Sequence, residues 1–194
     1  REAKKLVKDL SLLPELAGKP RLQKVAGVMP KQGGQLQLVA RDKLSNIRAA
    51  QGHYPEAIAL RELLTAAYAA RGKHIKAAKS LQEQGNVYLT HGEREKAARS
   101  FQECATFSAL AKIPEQEARC LTRSARTLSR GGQPEPARID YEKAIAIFQS
   151  IKSPEEISTR RSLGHLYESS LSDYETAETI FKEALQLAQK REDP

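Results

Sequence analysis

Six side chains in this sequence have the chemistry that catalysis and metal binding most often use. The histidines are His53, His74, His91 and His165. None of them lies at metal-ligand spacing from another histidine or from a cysteine. Cys104 and Cys120 fall at predicted helical positions, where we expect buried packing residues rather than nucleophiles. No Gly-x-Ser-x-Gly motif occurs, and Lys31-Gln-Gly-Gly lacks the rest of a phosphate-binding loop. The sequence therefore predicts a protein that is not an enzyme and that needs no cofactor or metal.

The charge is concentrated near the N-terminus. The 194 residues hold 32 Lys+Arg and 24 Asp+Glu, a net charge of +8, and eight basic and three acidic residues give residues 1–40 a charge of +5. Such a basic segment can bind nucleic acid, an anionic membrane surface or an acidic protein. It contains no Phe, Tyr or Trp to stack on bases, so we do not expect nucleic acid as the main partner.

Three further features bear on location. No run of 18 apolar residues occurs, so we expect no membrane span. Two cysteines are too few for a disulfide scaffold, and no signal-peptide pattern opens the chain. The sequence therefore predicts a cytoplasmic or nuclear location.

The strongest pattern is an internal repeat with a period of 40 residues. An alanine column contains Ala57, Ala97, Ala137 and Ala177. Four residues after each alanine come Arg61, Phe101, Tyr141 and Phe181, and three residues later Leu64, Cys104, Ala144 and Ala184. Five residues before each alanine stand Gly52, Gly92, Gly132 and Ser172. Pro114, Pro154 and Pro194 also recur at this interval. Because the columns align without gaps, the chain must be built from repeated structural units.

Each unit has the spacing of two helices. In the second unit, one stripe precedes the glycine and another follows it, with steps of three and four residues. The stripes are Leu81, Gly85 and Tyr88, then Ala97, Phe101 and Cys104. We predict that Gly92 ends the first helix and that Pro134 and Pro154 begin later ones.

This pattern resembles the tetratricopeptide repeat. The family signature matches Leu163-Gly164, Tyr167, Ala177, Phe181 and Ala184, and in the second unit Leu81, Gly85, Tyr88, Ala97 and Phe101. The resemblance implies an all-α fold, a right-handed α-solenoid of stacked antiparallel helix pairs with a concave groove. The usual period is about 34 residues. The longer period is similar to that of spindle-orientation adaptors with G-protein-regulatory motifs, and to that of some bacterial regulators with helical sensor domains.

The resemblance covers roughly residues 38–194, which we divide into four units. The units are 38–77, which is degenerate, then 78–117, 118–157 and 158–194. The fourth unit has one extra residue between Gly164 and Ala177. Residues 1–37 do not fit the repeat, and we predict a basic N-terminal helical cap or a partial repeat there.

The resemblance also implies which residues bind a partner. In the tetratricopeptide family the first helix of each pair lines the concave groove, and the position after the glycine of this helix points inward. Here that position holds Asn46, Asn86, Arg126 and His165. The other predicted partner-binding residues are Lys79, Gln82, Arg119, Arg130 and Arg161. Asn side chains can bind a peptide backbone, and Arg can pair with carboxylates. We therefore expect a protein–protein interaction scaffold that binds an extended or helical, partly acidic segment of another protein.

Two sub-families use such a stripe. Some tetratricopeptide co-chaperones clamp the C-terminal carboxylates of heat-shock proteins with Asn, Asn and Arg, as found in Asn46, Asn86 and Arg126. Their clamp also uses basic residues four positions before the first Asn and before the Arg, where Asp42 and Thr122 stand here. The 40-residue period is more similar to the spindle-adaptor type.

Three alternatives remain open. Arginines on a helix surface are often simply solvated. The repeats could instead form a ligand- or peptide-sensing regulatory module of a larger signalling or transcription protein. The basic N-terminal segment could also bind nucleic acid, which would require affinity that falls steeply with salt.

Overall fold

The computed structural model describes residues 35–192, which form eight α-helices and one π-helical segment and contain no β-strand. The α-helices are α1 (Gln35–Ala50), α2 (Tyr54–Ala69), α3 (His74–Thr90), α4 (Arg94–Leu110), α5 (Pro114–Arg130), α6 (Pro134–Ser150), α7 (Glu155–Leu166) and α8 (Tyr174–Glu192). The predicted all-α fold is confirmed for these residues. None of these helices is long and apolar enough to cross a membrane.

The chain divides into an N-terminal unit, Arg1–His91, and a C-terminal unit, Gly92–Pro194. In the N-terminal unit α2 packs against both α1 and α3, and in the C-terminal unit each helix from α4 to α8 packs against the next. Packing of each helix on its neighbour in sequence is the arrangement of an α-solenoid, which confirms that prediction within each unit. The predicted cap, residues 1–37, lies outside the described residues except for residues 35–37, which belong to α1.

A residue with left-handed backbone closes the turn after each helix from α1 to α7. Positive φ angles recur every 20 residues from residue 52 to residue 172. Gly92 and Gly132 have φ angles of 85° and 73°, whereas Lys112, Lys152 and Ser172 adopt 57°, 54° and 54°. Glycine lacks a Cβ and takes this conformation at little cost. Gly52, Gly92 and Gly132 therefore each lie in the turn after a helix, as we predicted for Gly92.

The alanine and aromatic columns form the core of the C-terminal unit. Ala97 and Phe101 are fully buried, and Tyr141 is 3% exposed. Cys104 of α4 and Cys120 of α5 are also fully buried, which confirms their predicted burial. The two cysteines are joined by a disulfide bond, with their Cα atoms 5.9 Å apart, and this bond was not predicted from the sequence. It ties two successive helices together.

The extra residue of the fourth repeat is absorbed by the π-helical segment Tyr167–Leu171, which follows α7. A π-turn accommodates one additional residue without ending the helix. The turn then closes at Ser172, and the amide of Asp173 donates to the carbonyl oxygen of Tyr167 at 3.0 Å. The last helix, α8, begins at Tyr174.

Candidate functional site

The predicted binding residues of the C-terminal unit lie on α5 and α7. At about 100° per residue, Arg119, Arg126 and Arg130 fall within roughly 40° of each other around α5. Arg161 and His165 share one face of α7 by the same spacing. All five side chains are exposed. Among residues 92–192, no carboxylate lies within ion-pair distance of Arg126, Arg130 or Arg161. We call these three arginines the basic stripe.

Tyr141 of α6 connects the two helices that carry the basic stripe. Its buried hydroxyl interacts with the side chains of Arg126 on α5 and Ser162 on α7. Burial raises the pKa of Tyr141, and the interactions with Arg126, Ser162 and Arg130 partly oppose that shift. The hydroxyl therefore stays protonated at neutral pH. A neutral hydroxyl leaves the positive charge of the Arg126 guanidinium in place.

Arg119, in contrast, is neutralised within the chain. Its Nε donates to both carboxylate oxygens of Glu155 at 2.8 and 3.0 Å, and its Nη2 donates to Glu115 at 2.9 Å. The hydrogen bond to Glu155 raises the pKa of Arg119. Binding of a partner through Arg119 would compete with these two glutamates, and the role of Arg119 stays a prediction.

His165 lies at the end of α7, close to an aromatic ring and an acid. Its Nδ1 is 3.1 Å from an oxygen of Glu168, and its ring meets the edge of Phe181 with centroids 5.1 Å apart. A role of His165 in partner binding stays a prediction.

In the N-terminal unit, Asn46 has a partner inside the chain. Arg61 stands in the aromatic column, is 3% exposed, and donates from Nη2 to Asn46 and from Nη1 to Asp42. The guanidinium thus occupies space that an aromatic ring fills in later repeats. Asn46 is exposed, and its carboxamide oxygen accepts from the buried Arg61 side chain. Its NH₂ group and the second lone pair of its oxygen stay available, and its contact with a partner stays a prediction.

The remaining predicted residues lie on one face of α3, at steps of three and four residues. Lys79 is exposed, and Gln82 and Asn86 are partly buried. Asn86 donates from Nδ2 to Glu83 at 3.1 Å. This face is polar and carries one acid beside one lysine, so its chemistry differs from that of the basic stripe. The predicted residues of the N-terminal unit thus lie on two helices, Asn46 on α1 and the other three on α3.

The sequence did not predict a buried polar cluster that joins α4, α5 and α6. Asp140 of α6 is 5% exposed and accepts from Ser124 of α5 and Gln102 of α4. A charged residue in a buried column is the signal that could have revealed it, because Asp140 stands 40 residues after the buried Ser100. Between residues 35 and 192, no group of three or more His, Cys, Asp or Glu could hold a metal ion.

Comparisons with known proteins agree with this architecture. Residues 116–190 match the family model described as tetratricopeptide repeat. Among curated proteins, none matches this chain in sequence. Two solved structures share the fold at low identity. BtubC (BKLC) from P. vanneervenii has a TM-score of 0.67 and 17% identity, covering 86% of this chain and 68% of its own.

The second is a kinesin-light-chain-type protein of Podosopora anserina with nearly identical TPR-like repeats. It has a TM-score of 0.66 and 18% identity over 86% of this chain and 82% of its own. At such identity the likeness shows the fold alone. The family match identifies tetratricopeptide repeats over residues 116–190. Such repeats generally mediate protein–protein interaction.

Proposed function

We propose that this chain is a non-catalytic interaction scaffold that binds an acidic, extended or helical segment of a partner protein against α5 and α7. The observation that carries the proposal is the basic stripe. Three exposed arginines lie on the first helices of two successive pairs, and no carboxylate of the C-terminal unit's described residues neutralises them. A guanidinium offers a planar set of donors that fits a carboxylate in two parallel hydrogen bonds.

The electrostatics favour an acidic ligand on kinetic grounds as well. Unpaired charges of one sign steer an oppositely charged partner and raise its association rate. The interaction should weaken with salt, since the Debye length falls to about 8 Å at physiological ionic strength.

We also infer that the four predicted repeats are of the long type, as in the spindle-orientation adaptors. Helices α3 and α5 begin 40 residues apart, and so do α4 and α6. Each proposed repeat, 38–77, 78–117, 118–157 and 158–194, then supplies most of one helix pair. This assignment places the inward-facing position of the third repeat at Arg126, in the basic stripe.

The test is peptide binding with a charge-reversal variant. An array of decapeptides rich in Asp and Glu, with matched Asn and Gln versions, would be probed with the chain and with Arg126→Glu/Arg161→Glu. We expect the acidic peptides to bind and the variant to lose roughly tenfold or more in affinity. Arg99→Glu/Lys190→Glu makes the same double change at exposed positions of α4 and α8. This control should bind the acidic peptides more nearly like the unchanged chain. Equal loss in both variants would mean that the stripe is an ordinary solvated surface.

A further inference from the structure

A groove in the C-terminal unit is lined by residues of α4, α5 and α6. It is open to solvent and has a volume of about 670 Å³. Its apolar lining includes the buried Ala105 and Leu121 and the partly buried Ile147. The polar lining includes Asp140 and Glu117. The groove therefore combines apolar side chains with two carboxyl groups.

Asp140 is a buried carboxylate whose only partners among the described residues are neutral. Its Oδ2 accepts from Ser124 Oγ at 2.7 Å and from Gln102 Nε2 at 2.9 Å, and the side chain forms no ion pair. A buried charge is costly unless a counter-charge or several hydrogen bonds compensate it. Both donors bind Oδ2, and no described residue donates to Oδ1.

Glu117 adds a second acid to the same groove. Glu117 is partly buried, and the resulting desolvation raises the pKa of its carboxyl group. No residue of the described range forms an ion pair with it. The one cation in the lining is Lys143, which is exposed and makes no ion pair with either acid. Two acids and one lysine give the lining a formal charge of −1. The groove therefore favours a cation.

This groove is separate from the basic stripe. Around α5, Glu117, Leu121 and Ser124 lie on one face, and Arg126 and Arg130 lie roughly 180° away at about 100° per residue. The two faces of α5 thus have opposite electrostatic character. A ligand in the groove and an acidic segment on the stripe would not compete for the same side chains.

We propose that the groove binds a short segment of a partner protein that places an arginine or lysine side chain between Glu117 and Asp140. Small apolar residues beside that cation would rest on Ala105, Leu121 and Ile147. The inference goes beyond the proposed function, because it concerns another surface and the opposite ligand charge.

The test uses the whole chain, labelled with ¹⁵N, and two pentapeptide pools. One pool has a central arginine with Ala, Val or Leu on either side, and the other has the neutral isostere citrulline at the centre. We expect amide shifts at Ala105, Leu121 and Ile147 with the arginine pool and roughly tenfold weaker binding with citrulline. Equal binding of the two pools, or shifts confined to other residues, would overturn the proposal.

Single substitutions in the groove test where the arginine side chain of the peptide binds. Glu117→Gln removes a partly exposed acid and should weaken binding of the arginine pool several-fold. Lys143→Glu should tighten it by about two- to fivefold, since an exposed charge contributes little. Glu103→Gln, an exposed acid of α4 outside the groove, serves as the control and should change nothing. Binding that ignores both Glu117→Gln and Lys143→Glu would contradict the assignment. Arg126→Glu/Arg161→Glu should leave binding of the arginine pool intact, which separates this result from the test of the basic stripe.

Discussion

The ring of Phe181 in α8 lies directly against the backbone of Gly164 in α7. A Cβ atom built on Gly164 would be 2.7 Å from Phe181 Cε1 and 2.9 Å from Cζ. Real Cβ atoms do not approach other atoms so closely, so the absence of a side chain at residue 164 lets the two helices of the last pair meet. The Leu-Gly signature of the repeat thus has a packing cause at this position.

Gly164→Ala should therefore destabilise the C-terminal unit by about 1–3 kcal/mol, the usual cost of overpacking. Urea unfolding followed by circular dichroism would measure the change. Phe181→Leu removes the ring that the new Cβ would meet. Adding Gly164→Ala to Phe181→Leu should therefore lower the free energy of unfolding by less than Gly164→Ala does in the unchanged chain. If Gly164→Ala is neutral in both backgrounds, the close approach is not a constraint.

Lys112→Gly should stabilise the chain by about 1 kcal/mol. Lys112 has a φ of 57° in the turn after α4, and a left-handed conformation costs a residue with a Cβ about 1–2 kcal/mol. The greater freedom of glycine in the unfolded chain reduces the gain. Thermal unfolding would detect the change. Lys143→Gly, within α6, should instead destabilise by about 1 kcal/mol, and stabilisation by both substitutions would contradict this explanation.

Asp42→Ala should destabilise the N-terminal unit by about 1–3 kcal/mol. It removes the acid that pairs with the buried Arg61 guanidinium, and an unpaired buried charge is costly. This loss of stability is smaller than that for a fully buried ion pair, because solvent screens the Asp42 side chain, which is 41% exposed. Chemical denaturation would measure it. Adding Arg61→Leu removes the stranded charge and should recover much of the loss. A double variant less stable than Asp42→Ala alone would count against the ion pair.

The disulfide should make the C-terminal unit sensitive to reductant. Closing a loop between residues 16 apart stabilises a protein by about 2–4 kcal/mol, mainly by restricting the unfolded chain. We expect dithiothreitol to lower the melting temperature and to leave the variant Cys104→Ala/Cys120→Ala unaffected. Alkylation under denaturing conditions, followed by mass measurement, should label neither cysteine without reductant and both with it. Labelling of both cysteines without reductant would contradict the bond.

Much of the fold could be predicted from local features of the chain. The glycine column indicated the turns because glycine readily adopts positive φ, and Gly92 and Gly132 do so. The prediction that a helix begins at Pro134 is confirmed, and Pro154 is the N-cap of α7. The exposure expected of Arg126 and Arg161 also follows from helical spacing. Each of these preferences acts within a few residues of the chain, where sequence alone is informative.

Only the tertiary structure decided which groups the arginines, asparagines and acids contact. Arg61 binds Asn46 across 15 positions, and Gln102 reaches Asp140 across 38. The sequence determined that repeated helix pairs would form, because backbone preference and apolar spacing are local. It could not determine which polar groups become paired or stay unpaired. That depends on atoms of separate helices meeting in a low-dielectric interior, where each buried charge must find a partner or remain a place for a ligand to bind.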